Sequence, residues 1–157
     1  MPSMKLGIIS DTHGWFDPKI PGIFKGVDFI LHGGDIGPEA ILHQLEEIAP
    51  VTAVLGNTDA PLPGIRDTEF VRCDDLGALI HHIVDPEHLS EPIQRRLELN
   101  QPRLVVFGHT HKPYSKSIGE VLFFNPGYAG PQRFALPRSV AVLHWEGSKL
   151  REEFVQL

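Results

Sequence analysis

The chain has 157 residues, of which 41% are hydrophobic and 22% are charged, and its formal net charge is −6. This composition is typical of a soluble globular protein, and we expect residues 1–157 to form a single domain. The acidic balance, with no Lys/Arg run longer than two residues, argues against a broad basic surface for nucleic acids. No apolar run approaches the roughly 18 residues of a membrane span. Because Cys73 is the only cysteine, we expect no intrachain disulfide and a cytoplasmic location.

Apolar strand patterns alternate with amphipathic helix patterns along the chain, and the last part is rich in strands. The first predicted elements are strands at 5–10 and 27–32, a helix from Pro38 to Pro50, and a strand at 51–55. They are followed by strands at 69–73 and 76–84, a helix at 92–100 and a strand at 104–107. The remaining predicted strands are 115–118, 121–124, 139–145 and 149–155. This order predicts an α/β fold.

Side chains that can bind metals follow four of the apolar runs. They are Asp11 and His13, then Asp35, then Asn57, and finally His109 and His111. Ligands of open α/β sheets bind beyond the carboxyl ends of the strands, so we expect these groups to meet at one edge. Each residue alone would more often be a turn residue, a helix cap or a surface histidine. Together they favour a site for two metal ions, and metals about 3.5–4 Å apart are used for phosphoester hydrolysis.

The motifs carry a resemblance to a known family. Asp11-x-His13, Gly34-Asp35, Gly56-Asn57-x-Asp59 and Gly108-His109-Thr110-His111 resemble the motifs of the calcineurin-like metallophosphoesterase superfamily. The small size and the Gly-Asn-x-Asp form resemble its compact bacterial and archaeal phosphodiesterase branch, which also includes the retromer subunit Vps29. Asn125-Pro126-Gly127 fits that branch too. The resemblance implies two facing mixed β-sheets flanked by helices, in four α/β/β/α layers.

The resemblance also implies a ligand set for each metal. The first metal would be bound by Asp11, His13, Asp35 and His111. The second would be bound by Asp35, Asn57, His109 and a histidine of the 76–84 strand, with Asp35 bridging the two ions. Mixed imidazole and carboxylate ligands suit Mn²⁺, Fe²⁺, Zn²⁺ or Ni²⁺ better than Mg²⁺ or Ca²⁺. Of these, Mn²⁺ is the metal that we expect.

The strand histidine can be His81 or His82, and only one of them can face the metals because neighbouring strand residues point in opposite directions. Ala78, Ile80 and His82 share one face of the strand, whereas His81 shares the other with Gly77 and Leu79. The alternating apolar residues that lead to this ligand in the family fit His82 better. We therefore favour His82 and keep His81 as the alternative.

The two cations would lower the pKa of a bridging water, and the resulting hydroxide would attack phosphorus in line with the leaving oxygen. Asp35, Asn57 and Asp59 are the predicted catalytic residues, and Asn57 and Thr58 are predicted to contact the substrate. Many larger family members have a histidine after the Gly-Asn pair that can protonate the leaving group. Thr58 stands at that position, and its hydroxyl is a poor general acid. Asp59 would then hold Asn57 or Thr58 in place instead of orienting a histidine.

These expectations describe a phosphodiesterase acting on a small phosphoester, with aryl esters preferred over alkyl esters. A Vps29-like protein-binding scaffold with little or no activity is one alternative, and a phosphomonoesterase is the other. Related compact members form dimers or larger assemblies, so a homo-oligomer is an open expectation. The loop residues Gln132, Arg133 and Arg138 could form a phosphate clamp or an ordinary solvated loop.

Overall fold

The structure is a computed structural model that describes residues 3–157. In this part of the chain the strands are β1 (Met4–Ile9), β2 (Phe29–His32), β3 (Val51–Ala53), β4 (Thr68–Cys73), β5 (Leu76–His81), β6 (Leu104–Val106), β7 (Tyr114–Ile118), β8 (Val121–Asn125), β9 (Ser139–Trp145) and β10 (Leu150–Gln156). The helices are α1 (Ile20–Ile23), α2 (Ala40–Glu46) and α3 (Glu91–Asn100). None of these helices combines the length and the apolar character that a membrane crossing requires.

The strands form two five-stranded mixed sheets. The first has the order β10-β9-β1-β2-β3, and the second has the order β4-β5-β6-β8-β7. In the first sheet β1, β2 and β3 are parallel, and β9 and β10 are added in antiparallel fashion. In the second sheet β5, β6 and β8 are parallel, and β4 and β7 are antiparallel edge strands.

The main hydrophobic core lies between the two sheets. Leu6 and Ile8 of β1 pack there with Ala78 and Ile80 of β5. Every second residue of β6 and of β8 also faces this core. A second core contains Phe24 and side chains of α2 against the outer face of the first sheet. A third contains Leu79, Val105 and Phe123 on the outer face of the second sheet, with Leu97 of α3 packed against it. This layering confirms the four-layer α/β/β/α fold class.

Most of the predicted elements are present, with shifted ends. The strand predicted at 76–84 ends at His81, and the helix predicted at 38–50 extends only over Ala40–Glu46. The four-residue helix α1 was not predicted, because a single turn that contains Pro21 and Gly22 shows no helical periodicity. The parallel strands β1, β2, β5 and β6 place their carboxyl ends toward the loops that carry the predicted ligands.

Candidate metal centre

Hydrogen bonds continue the pairing of β1 and β2 into the loops that follow them. The backbone N–H groups of Asp11, His13 and Gly14 donate to the carbonyl oxygens of Gly34, Asp35 and Ile36, each at 2.9 Å. On the other sheet, the Gly108 N–H donates to the His82 carbonyl at 2.9 Å. Backbone hydrogen bonds therefore hold these loops in place independently of their side chains.

Asp11 connects the two sheets through one carboxylate oxygen. Its Oδ2 accepts a hydrogen bond from the Ser10 hydroxyl at 2.7 Å and another from the His109 N–H at 3.1 Å. Asp11 is fully buried. Sequence reasoning missed Ser10, although its position at the end of the β1 run, directly before Asp11, was a usable signal. These two donors fix the plane of the carboxylate and direct Oδ1 toward the histidines.

Oδ1 of Asp11 lies among three imidazoles. Its distances are 3.3 Å to Nε2 of His111, 3.8 Å to Nε2 of His13 and 3.9 Å to Nε2 of His82. The family pattern places Asp11 on one metal only, whereas in the structure it belongs to both groups of candidate ligands. Those groups are Asp11 with His13 and His111, and Asp11 with Asp35 and His82.

Asp35 lies between the same imidazoles. Its Oδ1 accepts the Thr58 N–H at 2.9 Å, while Oδ2 lies 3.3 Å from Nε2 of His82 and 3.7 Å from Nε2 of His13. Burial alone would raise the pKa of Asp35, but the hydrogen bonds from Thr58 and the nearby imidazoles of His82 and His13 hold that pKa below its ordinary value. Asp35 is therefore ionised at neutral pH, with Oδ2 placed between two histidines as a bridging ligand requires.

Buried polar atoms that lack a hydrogen-bond partner show whether this cluster of side chains fits a metal ion. Oδ1 of Asp11, Nε2 of His13 and Nε2 of His82 are buried and have no hydrogen-bond partner within residues 3–157. Buried polar atoms are normally paired, so three such atoms in one cluster need an explanation. A cation would supply one, because carboxylate oxygen and imidazole nitrogen are ligands of divalent transition metals. The residues present fit the expected metals.

His82 and His81 point to different places. Nδ1 of His82 donates to the Gly33 carbonyl at 2.7 Å, and this bond orients the ring so that Nε2 is directed at the cluster. Nδ1 of His81 instead lies 2.8 Å from the Thr68 hydroxyl and 3.1 Å from the Asp67 carbonyl. The structure thus brings His82 to the other candidate ligands and keeps His81 at the β4 edge, as the alternation of faces along β5 predicts.

Asn57 and His109 form the exposed side of the cluster. Nδ1 of His109 lies 3.1 Å from Oδ1 of Asn57, and the His109 ring centroid is 5.4 Å from that of His82. Ligand atoms about 2.1 Å from one cation can be this close to each other. All seven predicted ligands therefore meet at one edge of the two sheets, with Asp11, Asp35 and His82 buried and Asn57 and His109 open to solvent.

Asp59 differs from its expected role. Its Oδ2 accepts the N–H groups of Ile36 and Gly56 at 3.0 and 2.9 Å, and its Oδ1 accepts the Gly37 N–H at 3.1 Å. The carboxylate thus ties the β3 loop to the β2 loop by backbone bonds, rather than holding the side chain of Asn57 or Thr58. Backbone N–H groups compete well for a carboxylate that has no histidine to orient.

His32 is a buried part of the support beneath the site. Its Nδ1 accepts the Gly34 N–H at 3.0 Å, so its Nε2 carries the proton and donates to the Thr12 hydroxyl at 3.0 Å. Thr12 in turn donates to the Ile36 carbonyl at 2.7 Å. Burial lowers the pKa of His32 to about 3, so the ring is neutral at physiological pH. This chain of bonds joins the β1 and β2 loops directly below the cluster.

Tyr128 is a second residue that sequence reasoning missed. Its buried ring lies 4.6 Å from the His111 ring and 6.1 Å from the His13 ring, centroid to centroid. An aromatic residue directly after Asn125-Pro126-Gly127 was the available signal.

Burial lowers the pKa of His111, with Asp11 acting in the opposite direction and His13 and Arg133 adding to the decrease. A neutral His111 is the form that binds a metal.

Sequence comparison shows which known proteins this chain is similar to. Residues 4–148 match the calcineurin-like phosphoesterase superfamily domain. A protein of Methanothermobacter thermautotrophicus named "Probable metallophosphoesterase" is 33% identical over 98% of this chain and 92% of its own length. The phosphodiesterase YfcE of Escherichia coli K12 is 27% identical over 89% of this chain and 87% of its own.

A solved structure shows the same fold. Vps29 of Entamoeba histolytica, crystallised with Zn²⁺, superposes with a TM-score of 0.72 at 21% identity and covers 98% of this chain and 99% of its own. At this identity the likeness concerns the fold alone. The domain match over nearly the whole length, together with the identity to the archaeal relative, establishes the family. The chain belongs to the calcineurin-like phosphoesterase superfamily, and the relatives above are named as a metallophosphoesterase and a phosphodiesterase.

Proposed function

We propose that the protein is a phosphodiesterase that uses two divalent metal ions, with Mn²⁺ as the expected metal and Fe²⁺, Zn²⁺ or Ni²⁺ as alternatives. The observation that carries this proposal is the group of three buried atoms without a hydrogen-bond partner, on Asp11, His13 and His82, next to Oδ2 of Asp35. The name of the relative YfcE supports a diester as the substrate. We also propose that residues 1–157 act as one domain, since both sheets contribute to one core and one site.

The proposed ligands are Asp11, His13, Asp35, Asn57, His82, His109 and His111. When bound, two divalent cations activate water as a nucleophile and stabilise negative charge on the phosphoryl oxygens. The chain's own residues set the geometry for this chemistry. Asp35 is held ionised by Thr58, His82 is held by the Gly33 carbonyl, and the exposed Asn57 and Thr58 are on the side from which a substrate can approach.

The substitutions Asp35→Asn and His82→Ala test this function. Each removes a proposed ligand from the buried centre, so we expect reduced metal content and a loss of aryl phosphodiester turnover of about 10²-fold or more. His81→Ala is the matched control, because it removes the neighbouring histidine outside the cluster and should retain both. Metal content is measured on purified protein, and turnover with bis(nitrophenyl) phosphate in the presence of Mn²⁺.

The same measurements decide between the alternatives. A wild-type protein that binds no metal and hydrolyses no ester would contradict the proposal and favour a scaffold of the Vps29 kind. Comparing a nitrophenyl diester with the corresponding monoester decides between a phosphodiesterase and a phosphomonoesterase. A homo-oligomer and a cytoplasmic location stay predictions.

A further inference from the structure

The loop after β8 places one arginine beside the cluster through an aromatic ring. Tyr128 lies against the imidazoles of His111 and His13, and its hydroxyl donates to the Pro131 carbonyl at 2.7 Å. The guanidinium carbon of Arg133 is 5.7 Å from the centroid of the Tyr128 ring. The Tyr128 ring thus lies next to both the His111 imidazole and the Arg133 guanidinium.

Arg133 is exposed and forms no ion pair with any carboxylate in the part of the chain that the structure describes, residues 3–157. Arg138, the other arginine of this loop, is used internally. Its Nε donates to the Gly130 carbonyl at 2.7 Å, and its Nη2 pairs with Asp17 at 3.0 Å. Of the two arginines, only Arg133 is therefore available to bind something from solvent.

The position of Arg133 suits a phosphate group. A guanidinium that stacks on an aromatic ring is pre-organised, and its donors match two phosphate oxygens at once. The cluster itself contributes the negative charges of Asp11 and Asp35, which bound cations would neutralise. A phosphoryl oxygen that is not held by a cation then needs a separate partner. Among residues 3–157, Arg133 is a nearby cation that has no ion pair and carries a fork of donors.

We propose that Arg133 binds a non-bridging oxygen of the substrate's phosphate group at the mouth of the metal site. This inference rests on the proposed phosphoesterase function and adds a substrate-binding residue to it. Arg133 contacts the Tyr128 ring and forms no ion pair with a proposed ligand within residues 3–157, so the protein should still bind metal after its removal. A monoester carries more negative charge than a diester at neutral pH, so the loss should be larger for a monoester and for inorganic phosphate.

The test measures inorganic phosphate binding to the metal-loaded protein by calorimetry, in the wild type and in Arg133→Gln and Arg133→Lys. A hydrogen bond between charged groups gives about tenfold to a hundredfold in affinity, so Arg133→Gln should weaken phosphate binding by that factor. Arg133→Lys keeps the charge without the planar fork and should lose part of the affinity. Arg151→Gln, which removes an equal charge from the distant strand β10, should bind phosphate as the wild type does.

Kinetics give a second readout, in which Arg133→Gln should raise KM by more than it lowers kcat, with metal content unchanged. If Arg133→Gln binds phosphate as tightly as the wild type does, the inference is overturned. A higher KM for an ester that carries another anionic group would not rescue it. A wild type that binds metals but no phosphate would overturn it as well. Failure of the proposed function is a different result, namely a wild type without metal and without turnover.

Discussion

At the scale of single residues, the proposed ligands are carried on an unusual backbone. The residues Asp11, His13, Asp35, His109 and His111 all have positive φ, between 46° and 72°. A non-glycine residue in this region costs about 1–2 kcal/mol relative to ordinary conformations. Such strain is retained where the surroundings fix the backbone, and it is concentrated at functional sites. For Asp11, His13 and Asp35, the backbone hydrogen bonds between the loops after β1 and β2 supply that fixation.

Thr58 leads to a prediction about the leaving group of the substrate. Thr58 is exposed next to the cluster, and a hydroxyl does not donate a proton readily at neutral pH. We therefore expect aryl phosphodiesters, whose leaving groups need no proton, to react much faster than alkyl ones. Introducing an acid with Thr58→His should narrow that gap, with a gain of up to about 10²–10⁴-fold for alkyl esters. The measurement is kcat/KM for nitrophenyl and methyl esters of the same phosphate.

Thr58→Ser controls for the substitution itself, since it keeps the hydroxyl and the N–H that Asp35 accepts. Its preference for aryl esters should match that of the wild type. Equal rates for nitrophenyl and methyl esters in the wild type would show that proton donation comes from another group.

His32 predicts how stability depends on pH. Its pKa falls from 6.5 to about 3 on folding, so below pH 6.5 the unfolded chain binds a proton that the folded chain does not. Stability from this residue is therefore complete above pH 6.5 and declines as the pH falls toward 3, by up to about 1.4 kcal/mol per pH unit. Replacing the ring with a neutral amide in His32→Gln should reduce this slope.

The comparison uses chemical denaturation of the metal-free wild type and His32→Gln between pH 7 and pH 4. Carboxylates titrate in both proteins, so only the difference between the two curves reports on His32. Parallel curves over this range would mean that His32 gains its proton in the folded state as easily as in the unfolded one.

At the scale of elements, the loops after the strands approach each other so closely that glycine is required. A Cβ on Gly56 would lie 2.1 Å from Oδ1 and 2.2 Å from the backbone nitrogen of Asp35. Because the backbone cannot yield cheaply, Gly56→Ala should push the β3 loop away from Asp35. We expect a loss of about 1–3 kcal/mol in the free energy of unfolding and weaker metal binding, measured by denaturation and by metal titration.

Gly22→Ala in α1 is the matched control, because a Cβ there meets nothing within 4 Å. Removing a helical glycine should leave stability unchanged or raise it by up to about 1 kcal/mol. If Gly56→Ala is as stable as the wild type and binds metal equally, the loops have more freedom than the close approach implies.

The sequence predicts the strands well, and it predicts which candidate ligands the fold brings together, because both depend on local patterns. Apolar runs interrupted by Gly or Asp end within one residue of the ends of β1, β2 and β6, and each is followed by a proposed ligand. The supporting contacts depend on residues distant in the chain and could not be predicted. Asp59 accepts N–H groups from the β2 loop, and Tyr128 packs on His111, only because the fold brings those segments together.

At the scale of the whole molecule, the proposed site joins the two sheets. The loops of β1, β2 and β3 contribute Asp11, His13, Asp35 and Asn57, while the second sheet contributes His82, His109 and His111. Without a cation, the two sheets are joined at this edge by hydrogen bonds such as those from the His109 N–H to Asp11 and from Nδ1 of His82 to the Gly33 carbonyl. Because each sheet contributes ligands to the proposed site, metal binding should hold this edge of the sandwich closed.

Removing the metal should therefore destabilise both sheets together. Binding that occurs only in the folded state adds about 2.7 kcal/mol when free metal is a hundred times Kd, which for a chain of this size raises Tm by about 5–10 °C. Mn²⁺ added to chelator-treated protein should give this shift, and hydrogen exchange should slow in β1 and β2 as well as in β5 and β6. His81→Ala should keep the effect, whereas His82→Ala, which removes a ligand of the second sheet, should lose most of it. Protection confined to the first sheet would show that the metal is held by Asp11, His13 and Asp35 without the other half of the molecule.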